Sequence, residues 1–186
     1  MRSEHHFGTH ATLEPMAIED PSCAVAHGET PAEIETRTLV AVFASPVADL
    51  LLRYGHDLGY KTVLVEPERG KVTNEEARAA TVLTHFPDLG EDADIVVTDH
   101  HRVELGPMLA EALKLPARWI GVMGNPRHPG PHMAALKELG VAESEIARIH
   151  RPIGLNIGSR TPPEIAIATL AGLIADRNDK PGGFEF

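Results

Sequence analysis

Runs of consecutive apolar residues alternate with amphipathic segments along most of the chain, between residues 38 and 178. Apolar runs of strand length without polar alternation are typical of strands buried on both faces, as in a parallel sheet. Segments with apolar residues three and four positions apart are typical of helices that cover a sheet. The pattern predicts strands at 38–43, 62–67, 81–86, 94–99 and 117–124, and helices from 46 to about 58, from 73, over 107–114, 131–139 and 143–150, and from 161 onward.

The order of these elements indicates the fold class. Strands separated by helices connect through right-handed crossovers into a parallel sheet that carries helices on both faces. We therefore predict a doubly wound α/β fold with three layers, α/β/α. Ligands of such sheets bind at the carboxyl ends of the strands, which selects the loops 44–46, 66–70, 99–104 and 124–131 as candidate sites.

The two ends of the chain differ from this organised region. Residues 1–37 are polar and acidic without sustained periodicity, which predicts a tail or a lead-in segment. Residues 179–186 are predicted to form a C-terminal tail. The N-terminus lacks the apolar core of a signal peptide, and no apolar run approaches the length that spans a bilayer. We therefore expect a cytoplasmic protein with no membrane partner.

Composition narrows the function classes. The chain has 186 residues, which suits one globular domain, and a formal net charge of −10 at pH 7. An acidic surface repels phosphate backbones and anionic membranes, so we expect no nucleic-acid partner. The single cysteine, Cys23, excludes an internal disulfide and a zinc site built from cysteines.

The first candidate site follows the strand predicted at 38–43. A dinucleotide fold would carry a G-x-G-x-x-G motif there, but the chain reads FASP at 43–46 and has no glycine. Ser45 is a candidate helix N-cap and ligand contact. Glu66 lies about twenty residues further on, where dinucleotide folds place an acidic residue that holds a ribose. Two interpretations of Glu66 stay open, a ribose-binding carboxylate and a solvated carboxylate.

The second candidate site is the polar run TDHHR at 98–102. A carboxylate and two imidazoles at a strand end could bind a metal, hold an anion or transfer protons near neutral pH. Adjacent residues in an extended chain point in opposite directions, so Asp99, His100 and His101 are only weak metal candidates and no metal is assigned. A plain polar loop is the alternative.

The third candidate site is the run GVMGNPRH at 121–128. Gly121 and Gly124 would let a ligand or another backbone approach the end of the strand. Arg127 could pair with a phosphate or a carboxylate through two hydrogen bonds. An ordinary strand-to-helix turn is the alternative.

The fourth candidate site is the segment 153–164. Its glycines, Gly154 and Gly158, precede Ser159, Arg160 and Thr161, and these residues could form an anion site beside the positive end of the last helix. Thr161 and Glu164 have the spacing of a capping box. Two prolines, at 162 and 163, remove backbone donors that such an anion site would use. A tightly packed turn is the alternative.

The run ARIHRPIGLNIGSRTPPEIAIATLAGLIADR at 147–177 resembles the C-terminal signature of the XdhC/CoxI family, which is close to ARIHxPIGLxIGARTPEEIAxSI. ARWIGVMGNPRH resembles the family's YIGALGSRR segment, DIVVTDHHRVEL its VVVLTHD segment, and the chain from 38 to 67 its first βαβ unit. The resemblance covers residues 38–178 and implies a Rossmann-like domain. By resemblance the cofactor-binding residues are Gly154, Gly158, Ser159, Arg160 and Thr161 on the IGxRT element, Gly121, Gly124 and Arg127 on the IGALGSRR element, and Asp99 and His100 on the THD element.

The resemblance implies a function in the maturation of xanthine-dehydrogenase-type molybdenum enzymes. Members of the family bind molybdenum cofactor (molybdopterin), support its sulfuration and deliver it to the apoenzyme. The implied partners are an apo molybdenum hydroxylase and a sulfur-donating desulfurase, and a homodimer is a further expectation. Such a protein is a cofactor-binding chaperone more than a catalyst, so no catalytic residue is assigned.

Two departures from the family pattern bear on this interpretation. The family's first loop commonly reads GAGH, whereas this chain has the shorter Ala44-Ser45-Pro46. Residues 1–37 are shorter than the family's N-terminal domain with its SGGC-like motif. Two interpretations of this difference stay open, a stand-alone Rossmann half that works with a separate protein supplying that domain and a repurposed relative of the family. Two alternatives stay open, an NAD(P)-binding oxidoreductase supported by Glu66 and a non-catalytic regulatory subunit with a degenerate pocket.

Overall fold

The computed structural model describes residues 21–31, 35–73, 80–125, 127 and 130–183. The described residues divide into two compact units, a first unit with residues 21–31 and a second unit with the described residues from 35 to 183. In the described part of the first unit, helix α1 (Pro21–Ala26) is followed by a turn in which the His27 amide donates to the Cys23 carbonyl at 2.9 Å. The rest of the described structure belongs to the second unit.

The second unit is built on a six-stranded sheet in which every neighbouring pair is parallel. The strand order is β3-β2-β1-β4-β5-β6, which is the order of a doubly wound dinucleotide-binding fold. The predicted fold class is therefore confirmed. The strands are β1 (Arg37–Val42), β2 (Tyr60–Val65), β3 (Thr81–Leu83), β4 (Ala93–Val97), β5 (Trp119–Val122) and β6 (Ile149–His150).

Helices cover both faces of this sheet. They are α2 (Pro46–Asp57), α3 (Leu105–Ala112), α4 (Pro131–Glu138), α5 (Glu143–Ile146) and α6 (Pro162–Arg177), with one turn of 3-10 helix at Arg69–Lys71. None of the helices in the described part of the chain combines the length and apolarity needed to cross a bilayer.

The unbroken apolar runs have a direct structural reason. Successive side chains of a strand point to opposite faces of the sheet. In β1, Leu39 and Ala41 therefore pack into the core beneath α2 and α6, whereas Val40 and Val42 pack into the core beneath α3 and α4. Strands with a core on each side need apolar residues at consecutive positions, as the sequence predicted.

The predicted helix at 143–150 is wrong in its second half. Helix α5 ends at Ile146, and Ile149 and His150 form strand β6, which pairs with Ile120 and Gly121 of β5. Pro152 disfavours helical conformation just before it, and pairing with β5 buries Ile149 at the sheet edge. The helix predicted from residue 73 falls largely on residues 74–79, outside the described residues.

A buried carboxylate fixes α6 against the sheet at the end opposite the candidate sites. Asp94 of β4 has no exposed surface, and its two oxygens accept from Arg118 Nε and Arg177 Nη2, each at 2.8 Å. Arg177 is the last residue of α6, so this pair of contacts holds the helix along the sheet. The loop that leads into α6 is thereby placed at the carboxyl edge of the strands.

Candidate functional site

The crevice between β1 and β4, where doubly wound sheets bind their ligands, is closed by hydrogen bonds between its own loops. Thr98 follows β4 and is fully buried, and its hydroxyl donates to the Phe43 carbonyl at 2.8 Å. The Ser45 hydroxyl donates to Thr98 Oγ1 at 3.0 Å and accepts from the Ala48 amide at 3.0 Å, so the predicted N-cap is confirmed. These contacts tie the first loop to the loop after β4.

Glu66 lies behind this closed crevice with no exposed surface. Its oxygens accept from the Ala44 amide at 2.8 Å and the Glu68 amide at 2.9 Å. Arg102 donates to both oxygens, through Nη1 at 3.1 Å and Nη2 at 2.9 Å. Burial by itself raises the pKa of the Glu66 carboxyl, but the hydrogen bonds from Arg102, Ala44 and Glu68 outweigh burial and place that pKa below its ordinary value.

Arg102 occupies the space in front of Glu66. Its side chain is only 8% exposed, and its guanidinium carbon lies 4.6 Å from the centre of the Phe43 ring. It also pairs with Glu68 and Glu104, each at 3.2 Å. The interpretation of Glu66 as a solvated carboxylate is therefore wrong, and its interpretation as a ribose ligand requires that the ribose displace Arg102.

The open site lies one strand further along the sheet, at the carboxyl ends of β4, β5 and β6. We call this cavity of about 580 Å³ the β4–β6 cleft. The loop after β4 forms one wall, the start of α4 forms the other, and residues that follow β5 and β6 form its base. Its lining residues are His100, His101, Arg102, Val103, Leu105, Gly106, Asn125, Pro131, Ala135 and Arg151.

Arg151, which the sequence analysis did not single out, is the cation at the base of the β4–β6 cleft. It follows β6 directly, and its Nη2 donates to the Asn125 carbonyl at 2.9 Å. Its guanidinium lies against Gly124, where a Cβ atom would be 2.6 Å from Arg151 Nε. The predicted close approach at Gly124 is therefore made by an arginine side chain of the same chain.

His100 and His101 form the adjacent wall, with ring centroids 4.1 Å apart. Nδ1 of His100 is buried and has no hydrogen-bond partner among the described residues. Burial lowers the pKa of His100, and the charges of His101 and Arg151 lower it further, against a smaller opposing effect of Asp99. His132, at the start of α4, also has a lowered pKa, because it is buried and because Arg151 is near.

The other residues of the second and third candidate sites lie around this cleft or beneath it. Asp99 accepts from the His101 amide at 2.9 Å, which stabilises the turn after β4. Gly121 is buried in β5, where a Cβ atom would overlap the Trp119 ring. Arg127 is exposed, its amide donates to Asn125 Oδ1 at 2.9 Å, and its side chain is not among the cleft lining. Pro126 and His128 lie outside the described residues.

The fourth candidate site has a carboxylate of its own at the helix end. The predicted capping box is confirmed, since Glu164 accepts from the Arg160 amide at 2.7 Å and from the Thr161 amide at 3.1 Å. Arg160 is exposed, and none of Gly158, Ser159, Arg160 and Thr161 is among the residues that line the β4–β6 cleft. An anion at this helix end would have to compete with Glu164.

Gly154 has a packing role in the same segment. Its φ is +76°, and a Cβ atom there would be 2.7 Å from the backbone of Ala168 and Thr169 in α6. The backbone therefore lies directly on the helix, where the Leu155 amide donates to the Ala168 carbonyl at 3.0 Å. No group of three or more His, Cys, Asp or Glu side chains in the described part of the chain is arranged to hold a metal ion.

The comparisons with known proteins agree with this fold. The family model for the XdhC Rossmann domain matches residues 39–173. A relative from Escherichia coli K12, described as the uncharacterized protein YqeB, is 32% identical over 152 residues, which cover 78% of this chain and 28% of the relative. The chain thus spans little more than a quarter of that relative's length.

A solved structure described as a xanthine dehydrogenase from Bacillus halodurans is also similar. It superposes with a TM-score of 0.63 at 21% sequence identity, over 77% of this chain and 45% of that one. At this identity the similarity supports the fold.

The substitution Arg102→Ala is expected to destabilise the protein strongly. It leaves the Glu66 carboxylate buried without its counter-charge, and removing one partner of a buried ion pair lowers the free energy of unfolding by about 3 kcal/mol or more. Urea unfolding followed by circular dichroism measures the change. Lys137→Ala is the matched control, because the Lys137–Glu143 pair is exposed to solvent and such pairs add little to stability. Equal losses in the two variants would contradict a buried, structural role for Arg102.

Acidification below pH 6.5 is expected to destabilise the protein through His100 and His132. Their pKa values are lower in the folded state, so the unfolded state binds more protons and stability falls as pH drops from 6.5 through the folded pKa values. Each histidine lowers the free energy of unfolding by at most about 1.4 kcal/mol for each pH unit of acidification. Urea unfolding at pH 7.5 and 5.5 tests this, with the double variant His100→Gln, His132→Gln showing a shallower dependence. An unchanged dependence in the double variant would show that other groups cause it.

Proposed function

The chain belongs to the XdhC family, and from that membership we propose that it is an accessory protein which binds molybdenum cofactor for xanthine-dehydrogenase-type enzymes. The observation that supports this proposal best is the β4–β6 cleft. It lies at the carboxyl edge of the sheet, the edge at which doubly wound folds bind ligands. It is open, whereas the neighbouring crevice is filled by Arg102 and Glu66.

The residues of the cleft fit an anionic heterocycle in size and chemistry. A volume of about 580 Å³ lies within the range of small-molecule sites. Leu105, Pro131 and Ala135 supply apolar surface for a ring system, and Arg151 and His100 supply polar groups. In the proposed complex the metal chemistry belongs to the cofactor and its client enzyme.

This chain's own residues bind, orient and release the cofactor in the proposed function. The guanidinium of Arg151 holds the anionic part, and the apolar wall at α4 orients the ring system. Val103, which is 91% exposed at the rim, leaves one side of the cleft accessible to a partner. A chaperone needs moderate affinity, because a ligand bound with a Kd of about 1 nM or less would be released slowly.

The proposed partners follow from this transfer role. An apo molybdenum hydroxylase would receive the cofactor, and a desulfurase would supply sulfur to it. Two copies of the chain would form a homodimer. We propose Arg151 as the main anion-binding residue in place of Arg160 or Arg127, because Arg151 lines the cleft and the other two do not.

The geometry does not favour a nicotinamide cofactor. Its best sequence support was Glu66, whose oxygens are bonded to Arg102 and to two backbone amides. The first loop lacks the glycines that bring the backbone close to a pyrophosphate. A dinucleotide would therefore have to break the Glu66–Arg102 pair before it could bind in the usual position.

Retention of isolated molybdopterin by the purified chain tests the proposed function. We expect one pterin per chain after gel filtration, detected by the fluorescence of the oxidised pterin, with a Kd in the micromolar range. Arg151→Glu should abolish retention by placing a negative charge at the base of the cleft, and Arg160→Glu, an equal charge change on an exposed residue, should not. NADH should leave the thermal unfolding temperature unchanged.

Two results would overturn the proposed function. One is the absence of pterin retention by the wild-type chain, alone and with its client apoenzyme. The other is stabilisation by NADH that increases with its concentration as mass action requires.

A further inference from the structure

We infer that the outer face of helices α2 and α6 is the surface through which two copies of this chain form a homodimer. The inference rests on the homodimer of the proposed function and names the residues that would form it. We call this surface the α2–α6 face. It consists of residues that line an apolar groove of about 380 Å³ between the two helices, namely Tyr54, Asp57 and Leu58 on α2 and Ile167, Ala171 and Ile174 on α6.

Apolar side chains that reach solvent make up most of the α2–α6 face. Leu58 is 47% exposed and Ile167 is 53% exposed. Ile167, Ala171 and Ile174 are four and three positions apart, so they form one stripe along α6. The buried side chains of both helices already form the core beneath them, so packing on the sheet does not account for this outward stripe. Burial against another surface would remove its apolar area from water.

The shape of the α2–α6 face suits a copy of itself. A two-fold interface joins the same patch on both subunits, so the patch must carry both protrusions and depressions. Leu58 and Ile167 are the exposed apolar side chains beside the groove. The small Ala171 lies between Ile167 and Ile174 on the stripe and leaves room for a side chain of the partner subunit.

Two opposite charges on α2 favour a second copy over an unrelated partner. Arg53 and Asp57 are one turn apart on the same side of α2, and both are exposed. Neither forms an ion pair with a described residue, and the Arg53 guanidinium lies 5.3 Å from the centre of the Tyr54 ring. Asp57 is the last residue of α2, where the helix dipole disfavours a carboxylate. A cation from a second molecule would stabilise it.

A two-fold axis between Arg53 and Asp57 provides that cation. If the axis is perpendicular to α2, the two α2 helices run antiparallel, and Arg53 of each subunit lies opposite Asp57 of the partner subunit. The symmetry therefore forms two ion pairs from one pair of charges. Ion pairs beside an apolar stripe fix the register of an interface and disfavour other partners.

This dimer leaves the ligand site of each subunit accessible. Helices α2 and α6 pack on one face of the sheet, whereas α3 and α4, which border the β4–β6 cleft, pack on the other face. The α2–α6 face also shares no residue with the lining of the cleft. Dimerisation and cofactor binding can therefore be measured separately.

Sedimentation velocity of the full chain over the micromolar concentration range measures the association. We expect a dimer with a micromolar Kd, because the formal charge of −10 on each copy opposes tighter association. Ile167→Glu should weaken the dimer at least about tenfold, because each copy would bury a carboxylate without a counter-charge. If this variant does not fold by circular dichroism, Leu58→Glu at the other side of the groove is the second variant.

Charge reversal tests the symmetry of the interface. Arg53→Asp alone and Asp57→Arg alone should each weaken the dimer about tenfold or more, because each places like charges opposite each other twice. An equimolar mixture of these two variants should associate with wild-type affinity, because opposite charges then meet at both positions. The double variant Arg53→Asp, Asp57→Arg should also form the wild-type dimer.

Controls separate the α2–α6 face from a general effect of charge. Lys114→Asp reverses an exposed charge after α3, and Val103→Glu places a carboxylate at the rim of the β4–β6 cleft. Both variants should dimerise with wild-type affinity.

The inference is overturned if the wild-type chain is monomeric at every concentration. It is also overturned if Ile167→Glu leaves the chain monomeric as before but blocks its binding to a client apoenzyme, which would assign the face to the client. Dimers that persist in the folded Ile167→Glu variant and in both charge variants would overturn it as well, since another surface would then form them.

These outcomes are distinguishable from failure of the proposed function. A monomeric chain that retains pterin would refute the dimer and leave cofactor binding standing. A dimer that responds to the variants as expected, without pterin retention, would support the α2–α6 face and refute cofactor binding.

Discussion

The bidentate ion pair between Glu66 and Arg102 fills the crevice between β1 and β4, at which doubly wound folds bind their ligands. Glu66 has no exposed surface, and Arg102 fills the space in front of it and stacks on Phe43. A buried ion pair is retained only when its geometry and further hydrogen bonds compensate for the loss of hydration, and here two backbone amides complete the set. The same arginine fixes the loop after β4, which forms a wall of the β4–β6 cleft. The Glu66–Arg102 pair therefore closes the crevice between β1 and β4 and also shapes the neighbouring β4–β6 cleft.

The glycine-free first loop is consistent with this arrangement. Phe43 has a φ of +73°, in the left-handed region that glycine adopts without strain and a bulky residue adopts at a cost of roughly 1–3 kcal/mol. Contacts made by the carbonyl group and by the ring of Phe43 offset this cost. Its carbonyl accepts from Thr98, and its ring supports the Arg102 guanidinium. The loop therefore has a glycine-like backbone at this position but places an aromatic ring and an arginine where a dinucleotide fold accommodates a pyrophosphate.

Local sequence signals were sufficient to predict most of the strands and helix ends of the sheet and its covering helices. The apolar runs of β1, β2 and β4 predicted strands buried on both faces because each face of the sheet has its own core. The N-cap at Ser45 and the capping box of α6 are defined by residues three positions apart, so they could be read from the sequence. Strand β6 could not be predicted from the sequence, because its two residues form a strand only through pairing with β5.

The candidate site was less predictable because its contacts join distant parts of the chain. Glu66 and Arg102 are 36 residues apart, and Arg151 reaches the carbonyl of Asn125, 26 residues earlier. At the predicted anion site, at the start of α6, the sequence itself indicated that an anion would be disfavoured. The Thr161–Glu164 spacing that predicted the capping box also placed a carboxylate at that helix end, where Glu164 accepts from Arg160 and Thr161.

Hydrogen–deuterium exchange with and without bound molybdopterin tests most directly whether the ligand site has moved to the β4–β6 cleft. We expect slower exchange in the segments 99–106 and 150–154, which line the cleft or adjoin Arg151, and unchanged exchange in 43–48 and 66–70 beside the closed crevice. Slower exchange in 43–48 and 66–70, with no change in 99–106, would contradict the account.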